Sequence, residues 1–307
     1  MISYAQNYED VMLWRALKHI ENGFYIDVGA AWPEHDSVTK HFYDSGWTGI
    51  NIEPNPSFAE LYLKERKRDI NLQIAISDFD GFSEINFIND TGLSTLKDDI
   101  AKKHTELGFE SFSERVVVKK LAEVMQRYVH KGQEIHFLKI DVEGLEKNVL
   151  LGMNWEGVRP WIIVVESTVP LSQEENFVDW EYMLSNNDYA CVYYDGLNRF
   201  YLAKEHNELK HHFRFPPNVF DNFIQNKEII KDGKIKSLEN EVNSFKDTVA
   251  NLDKKLLELN VIHTTLQNEL DATKINFNKL RMEMKKFETS FAWKINVKLK
   301  KFFLRRK

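Results

Sequence analysis

Apolar and polar residues along this chain follow two rhythms, and the change between them falls near residue 225. From Phe24 to about Phe200, short apolar runs alternate with amphipathic stretches, the pattern of a mostly parallel β-sheet covered by helices on both faces. The runs FYIDV, TGINIE, LQIAIS, IHFLKID, WIIVVE and YACVYY are each predicted to be a strand. Helices are predicted between them over residues 37–45, 56–68, 119–130, 144–152 and 174–187, after a first helix over 7–20 that Gly23 closes. YACVYYD and NRFYLAK flank a turn at Gly196 and predict an antiparallel hairpin at the sheet edge.

Beyond Pro216-Pro217 the apolar period becomes seven. With Ile235 at position a, apolar residues fill the a and d positions through Phe291, broken only by His263 and Thr273. Sustained over about eight heptads, such a seam needs a partner helix, because alone it would stand in water. The pattern predicts a coiled coil over residues 226–290 that self-associates as a dimer or a trimer, its eight heptads extending roughly 85 Å. The expected organisation is therefore an α/β domain over 1–225, the coiled coil over 226–290, and a tail over 291–307.

Charge and cysteine usage narrow the setting. The formal net charge of -6 and the lack of a basic, aromatic-interleaved stripe in residues 1–225 argue against a nucleic-acid partner. The tail differs, with seven Lys or Arg from Lys294 onward, no acid, and Phe, Trp, Ile and Leu between them. Such a segment suits peripheral contact with an anionic membrane. The single cysteine, Cys191, excludes an intramolecular disulfide, and its apolar neighbours predict a buried strand position in a reducing compartment. No apolar run approaches the roughly 20 residues of a membrane span, and MISYAQNYED lacks the basic and apolar regions of a signal peptide. A cytoplasmic location follows as an expectation, with the tail at the inner face of the plasma membrane.

Chemistry concentrates where predicted strands end. The first strand runs into Asp27-Val28-Gly29-Ala30-Ala31, and the second ends at Glu53, 24 residues after Gly29. A glycine directly after a strand lets the backbone approach a ligand, and an acid at the next strand tip can accept both hydroxyls of a ribose. The multi-glycine fingerprint of dinucleotide folds is absent from GAAWPEH, which fits S-adenosylmethionine, a cofactor with no phosphate to cradle. IHFLKIDVEGLE delivers Asp141 and Glu143 to the same edge, just before Gly144 and a helix. Desolvation disfavours two charged acids there unless they serve a ligand or cap the helix. Glu166, after WIIVV, is similarly situated.

The run YIDVGAAWPEHDSVTKHFYDSGWTGINIEPNP, then IAIS, FLKIDVEGLEKNVLLG and IIVVES, resembles the FkbM family of S-adenosylmethionine-dependent methyltransferases. SYAQNYEDVML is similar to the family's N-terminal Gln-x-x-Glu-Asp segment, so the resemblance spans about residues 3–205. It implies a Rossmann-like methyltransferase domain that methylates hydroxyl groups, often in glycan or polyketide biosynthesis. It places Asp27, Gly29 and Glu53 around the cofactor with Ala30 beside them, Ser77 at the third strand end where adenine contacts are usual, and Asp141 and Glu143 near the methyl group. One departure is Ala31-Trp32, where the family often carries Asn, so any contact of that Asn does not transfer.

Methyl transfer to a sugar hydroxyl calls for an acceptor oxygen held in line and for removal of its proton. Asp141 is the expected base or orienting group, His35 the second candidate, and Glu143 a supporting acid. No His-rich ligand spacing supports a metal site, and a divalent cation held by these acids stays open. GLSTLKDD, residues 92–99, is a candidate cover for the acceptor. The expected acceptor is a glycan or lipid-linked glycan of a surface polysaccharide. A non-glycan small molecule, or a catalytically inactive domain serving a coiled-coil scaffold, remains the alternative.

Overall fold

The computed structural model describes residues 1–88, 94–95, 111–170 and 172–304. The chain divides into two compact units, Met1–Ile230 and Lys231–Lys307. In chain order the described strands are β1 (Ile2–Ser3), β2 (Phe24–Val28), β3 (Thr48–Ile52), β4 (Ile70–Leu72), β5 (Ala75–Ser77), β6 (Gly81–Ile88) and β7 (Ser94–Thr95). They continue as β8 (Ser111–Lys120), β9 (Phe137–Ile140), β10 (Ile162–Glu166), β11 (Tyr189–Tyr194), β12 (Asn198–Ala203) and β13 (Ile224–Gln225). The helices are α1 (Glu9–Leu17), α2 (Lys40–Asp44), α3 (Pro56–Glu65), α4 (Leu121–Tyr128), α5 (Glu146–Leu151), α6 (Glu181–Ser185), α7 (Asn226–Thr289) and α8 (Phe291–Leu304).

Seven strands form the main sheet in the order β11-β12-β10-β9-β2-β3-β4. β4, β3, β2, β9 and β10 are mutually parallel, and β12 runs antiparallel between β10 and β11. β2, β9 and β10 are buried on both faces, which is why they read as unbroken apolar runs. On one face Ile26, Leu138 and Ile163 pack with α4, α5 and α6 through Val124, Val149 and Leu184. On the other, Tyr25, Phe137 and Val164 pack with α1 and the α2 region through Leu13, Phe42 and Trp47. The order reverses between β2 and β9, and in open α/β sheets ligands bind outside the carboxyl ends of the strands at such a switch.

Several expectations need correction. LQIAIS is not one strand: Leu72 ends β4 of the main sheet, whereas Ala75–Ser77 belong to a second, four-stranded sheet ordered β5-β8-β6-β7. That sheet has its own small core of Ala75, Ile85, Phe87, Val116 and Val118. Gly23 does not close the first helix, which ends at Leu17; a Cβ there would lie 2.3 Å from the Trp47 ring, so packing explains it. Cys191 is exposed, because β11 is the sheet's outermost strand and is bulged between Cys191 and Tyr193. The proposed cover over 92–99 lies outside the described residues apart from Ser94–Thr95.

The first unit is fastened end to end. β1 pairs in parallel with β13, and Arg15 grips Asp221 with Nε and Nη2 at 2.7 and 2.6 Å while Nη1 donates to the His212 and Phe215 carbonyls. The second unit consists of α8 and nearly all of α7, and no residue of α7 is buried. Among the described residues, no helix is long and apolar enough to cross a membrane.

Candidate functional site

At the carboxyl ends of β2, β3 and β9 lies a cavity of about 310 Å³. Gly29, Ala30, Glu53, Asp141 and Glu143 line it, together with Gln6, Trp32, Asp36, Ile74–Ile76 and Lys139.

Its floor depends on Gly29, which has a φ of +78°. A Cβ there would stand 1.7 Å from the Asp141 carbonyl oxygen, so the approach of this turn to the end of β9 admits no side chain. Both Gly29 and Ala30 donate their N–H to the Ile52 carbonyl, at 3.0 and 3.2 Å. Ala31, itself at φ +48°, donates to Glu53 Oε2 at 2.8 Å, and Asn55 donates to Glu53 Oε1 at 2.7 Å. Glu53 is buried, and burial pushes its pKa up to about 7 despite those two backbone donors. Each oxygen keeps a second lone pair, so this carboxylate can still accept hydroxyl groups. The next segment starts α3 with Pro56 at its first turn and the Asn55 side chain accepting from Ser57 N–H.

At the opposite side, Lys139 organises the acids. Asp27 and Lys139 face each other across β2 and β9, and Lys139 Nζ lies 3.5 Å from Asp27 and 3.3 Å from Asp141. It also donates to the Gly29 carbonyl at 2.9 Å. Burial works against the Lys139 ammonium, yet the two carboxylates hold its pKa above the usual lysine range. Asp27 is fully buried and its pKa is raised by burial, against the pull of Lys139.

Beyond β9 the chain turns sharply, with Glu143 and Gly144 both at positive φ, 54° and 92°. Buried Glu146 holds this turn by accepting from Val142 and Gly144 N–H at 3.3 and 2.9 Å. Burial, helped by Asp141 and Glu146, pushes Glu143 up to about 8. Glu166, at the end of β10, is pushed up to about 11 by burial and by Asp141, Glu143 and Glu146, and its Oε2 has no hydrogen-bond partner. Among the described residues, no group of three or more His, Cys, Asp or Glu is arranged to hold a metal ion.

Of the residues singled out from sequence, Gly29, Ala30, Glu53, Asp141 and Glu143 come together in the cavity. Three do not line it. Asp27 points to the opposite sheet face, where Thr39 Oγ1 and Lys139 reach it, so its contact with the cavity lining is through Lys139. Ser77 follows β5 into the second sheet, and its hydroxyl bonds Asp78; Ile74, Ala75 and Ile76 line the cavity instead. His35 is exposed and bonds Asp36 at 2.8 Å, with its ring edge-on to Trp32.

The residues that sequence reasoning missed are Lys139, Gln6, Glu146 and Arg66. Arg66 is buried and braces the loop after β2, donating to the Pro33 carbonyl and Thr39 Oγ1 at 2.9 and 2.7 Å. Gln6 had a signal, since it opens the N-terminal Gln-x-x-Glu-Asp segment. In that segment Glu9 and Asp10 are structural: Asp10 accepts from Ser3, Tyr4 and Ala5, and Glu9 accepts from Asn7 and Asn198.

Residues 27–191, which contain the cavity's two rims, match the methyltransferase FkbM domain. The chain belongs to the FkbM methyltransferase family. No curated protein matches the chain significantly. The matched segment begins at Asp27 and so includes the Gly29 turn, Glu53, and the Asp141–Glu146 turn. Gln6 lies before the match, although it lines the same cavity.

Proposed function

We propose that this FkbM methyltransferase transfers a methyl group from S-adenosylmethionine to a sugar hydroxyl of a glycan or lipid-linked glycan in surface polysaccharide biosynthesis. The observation that carries this reading is the pairing, in one cavity, of a side-chain-free turn and a doubly anchored carboxylate with a separate pair of acids. The cofactor fits the first half: Gly29 keeps the floor bare, and Glu53 has lone pairs for the two ribose hydroxyls. When bound, it supplies an electrophilic methyl on a sulfonium, so the chain itself must position the acceptor and take its proton.

Asp141 and Glu143 share that task. Asp141, held by Lys139, orients the acceptor hydroxyl by accepting its hydrogen bond. Glu143 takes the proton, because a base works best when its pKa lies near the working pH and burial has raised this one to about 8. This moves the base from Asp141, the sequence-based favourite, to Glu143. His35 is left without a role, being exposed and outside the cavity lining.

Methyl transfer to glycan acceptors, followed with labelled S-adenosylmethionine, tests the assignment. Asp141→Asn and Glu143→Gln should each bind the cofactor normally and lose turnover at least about 100-fold, the first through loss of acceptor orientation and the second through loss of proton removal. The wild-type rate should rise with pH toward about 8, and Glu143→Gln should lose that rise. Near-wild-type turnover in both variants would make these residues turn formers. Turnover only on a non-glycan hydroxyl compound would keep the chemistry and change the substrate.

Helix α8 extends the reading to location. Lys294, Lys298 and Lys301 recur along one side of it, and Phe291, Ile295 and Leu299 along another. Such a helix suits the surface of an anionic membrane, where lipid-linked glycans would be presented.

A further inference from the structure

Helix α7 runs unbroken from Asn226 to Thr289 with no buried residue. Its seam is left in water: Ile235 is 44% exposed and Phe245 62%. A single helix gains nothing from ordering such a stripe, so the stripe needs an occupant.

The charges beside the seam identify it. In a heptad frame with Ile235 at a, the g positions include Lys234, Glu241 and Glu269, and the e positions five residues later are Glu239, Lys246 and Lys274. When two copies lie parallel and in register, each g residue meets the partner's following e residue. Those contacts are then Lys234 with Glu239, Glu241 with Lys246, and Glu269 with Lys274, all of opposite sign. Glu283 with Glu288 is the one like-charge contact in this arrangement. An antiparallel pair centred on the same span sets e against e and g against g. It would oppose Glu239 to Glu288, Lys246 to Arg281 and Glu241 to Glu283, of like sign, and Asp253 to Lys274 and Lys255 to Glu269, of opposite sign, so like-sign contacts outnumber opposite ones, the reverse of the parallel arrangement.

Strand number follows from the core. At the N-terminal end of the seam Ile235, Val242 and Val249 stand at a, with Leu238 and Leu252 at d, and β-branched residues at a with leucine at d favour two strands; further along, Leu256, Leu270, Phe277 and Met284 occupy a. His263, a polar residue at a, then faces its own copy, and such a layer fixes register at a cost in stability. We propose that α7 is one strand of a parallel, in-register homodimeric coiled coil, with a second copy of this chain as the occupant of its seam.

Light scattering of the full chain should give twice the chain mass. Charge reversal tests the alignment. Lys234→Glu, Lys246→Glu and Lys274→Glu combined in one chain, and Glu239→Lys, Glu241→Lys and Glu269→Lys in another, should each weaken self-association at least tenfold. Mixed, they should form a heterodimer. For a readout independent of those charges, Leu252→Cys in a Cys191→Ser chain should form an interchain disulfide on mild oxidation, since the two copies of residue 252 face each other. A monomeric or trimeric full chain overturns the proposal. So do charge variants that each dimerise like wild type. Cross-linking confined to mixtures of Leu238→Cys with Met284→Cys chains would show the reversed orientation and overturn it as well.

Discussion

Single residues set the electrostatics of the cavity, and Glu166 shows how to test it. Its carboxyl is pushed up to about 11, so in the fold it is a neutral acid at physiological pH, whereas the unfolded chain releases that proton near the ordinary value of 4.5. Between those values the folded state binds the extra proton, and stability falls as pH rises. Glu143 and Glu53, raised to about 8 and about 7, act in the same direction at lower pH, and the Cys191 thiol, raised by burial, adds to the slope above pH 8 in wild type and variant alike, so the difference between the two chains there reports Glu166. Glu166→Gln, which keeps an uncharged side chain, should flatten the fall in melting temperature between pH 8 and 9.5. Parallel profiles for wild type and variant would mean that Glu166 is ionised in the fold.

The same scale explains what sequence reading reached. Gly29 and Glu53 were legible because a glycine and an acid at strand tips conflict with a purely structural strand. Lys139 was not, because its partner Asp27 lies on a neighbouring strand, and only the β2–β9 register brings the two together. The same register turns Asp27, expected around the cofactor, onto Lys139 and away from the cavity lining.

Elements were legible where they are long or fully buried. Four of the five parallel strands of the main sheet, β2, β3, β9 and β10, announce themselves as apolar runs, and the hairpin of β11 and β12 by its Gly196 turn; half-buried β4 shares only Leu72 with the run LQIAIS. The second sheet escaped, because polar residues break GFSEINFI and SFSERVVVKK into short apolar stretches and the two strands that pair stand far apart in sequence. LQIAIS crosses from one sheet to the other within a single apolar run, and apolarity does not report which sheet receives a residue. Helix α8 is an element whose periodicity makes a prediction of its own. Lys294→Glu, Lys298→Glu and Lys301→Glu together should abolish flotation with vesicles containing phosphatidylserine at low salt, each lysine contributing about 1 kcal/mol. Equal flotation of variant and wild type would leave the helix with no electrostatic role at a membrane.

At the scale of the whole molecule, a family methyltransferase unit is joined to a long helix whose exposed seam and charge pattern fit a second copy. The central claim concerns the unit's cavity: Gly29 and Glu53 form the S-adenosylmethionine end of it. Isothermal titration of S-adenosylmethionine into the full chain and into Glu53→Ala tests this most directly. Saturable binding of one cofactor per chain is expected. Glu53→Ala should weaken it roughly tenfold to a hundredfold, the worth of a hydrogen bond to a charged acceptor. Unchanged affinity in a Glu53→Ala chain that remains folded by circular dichroism would contradict the account.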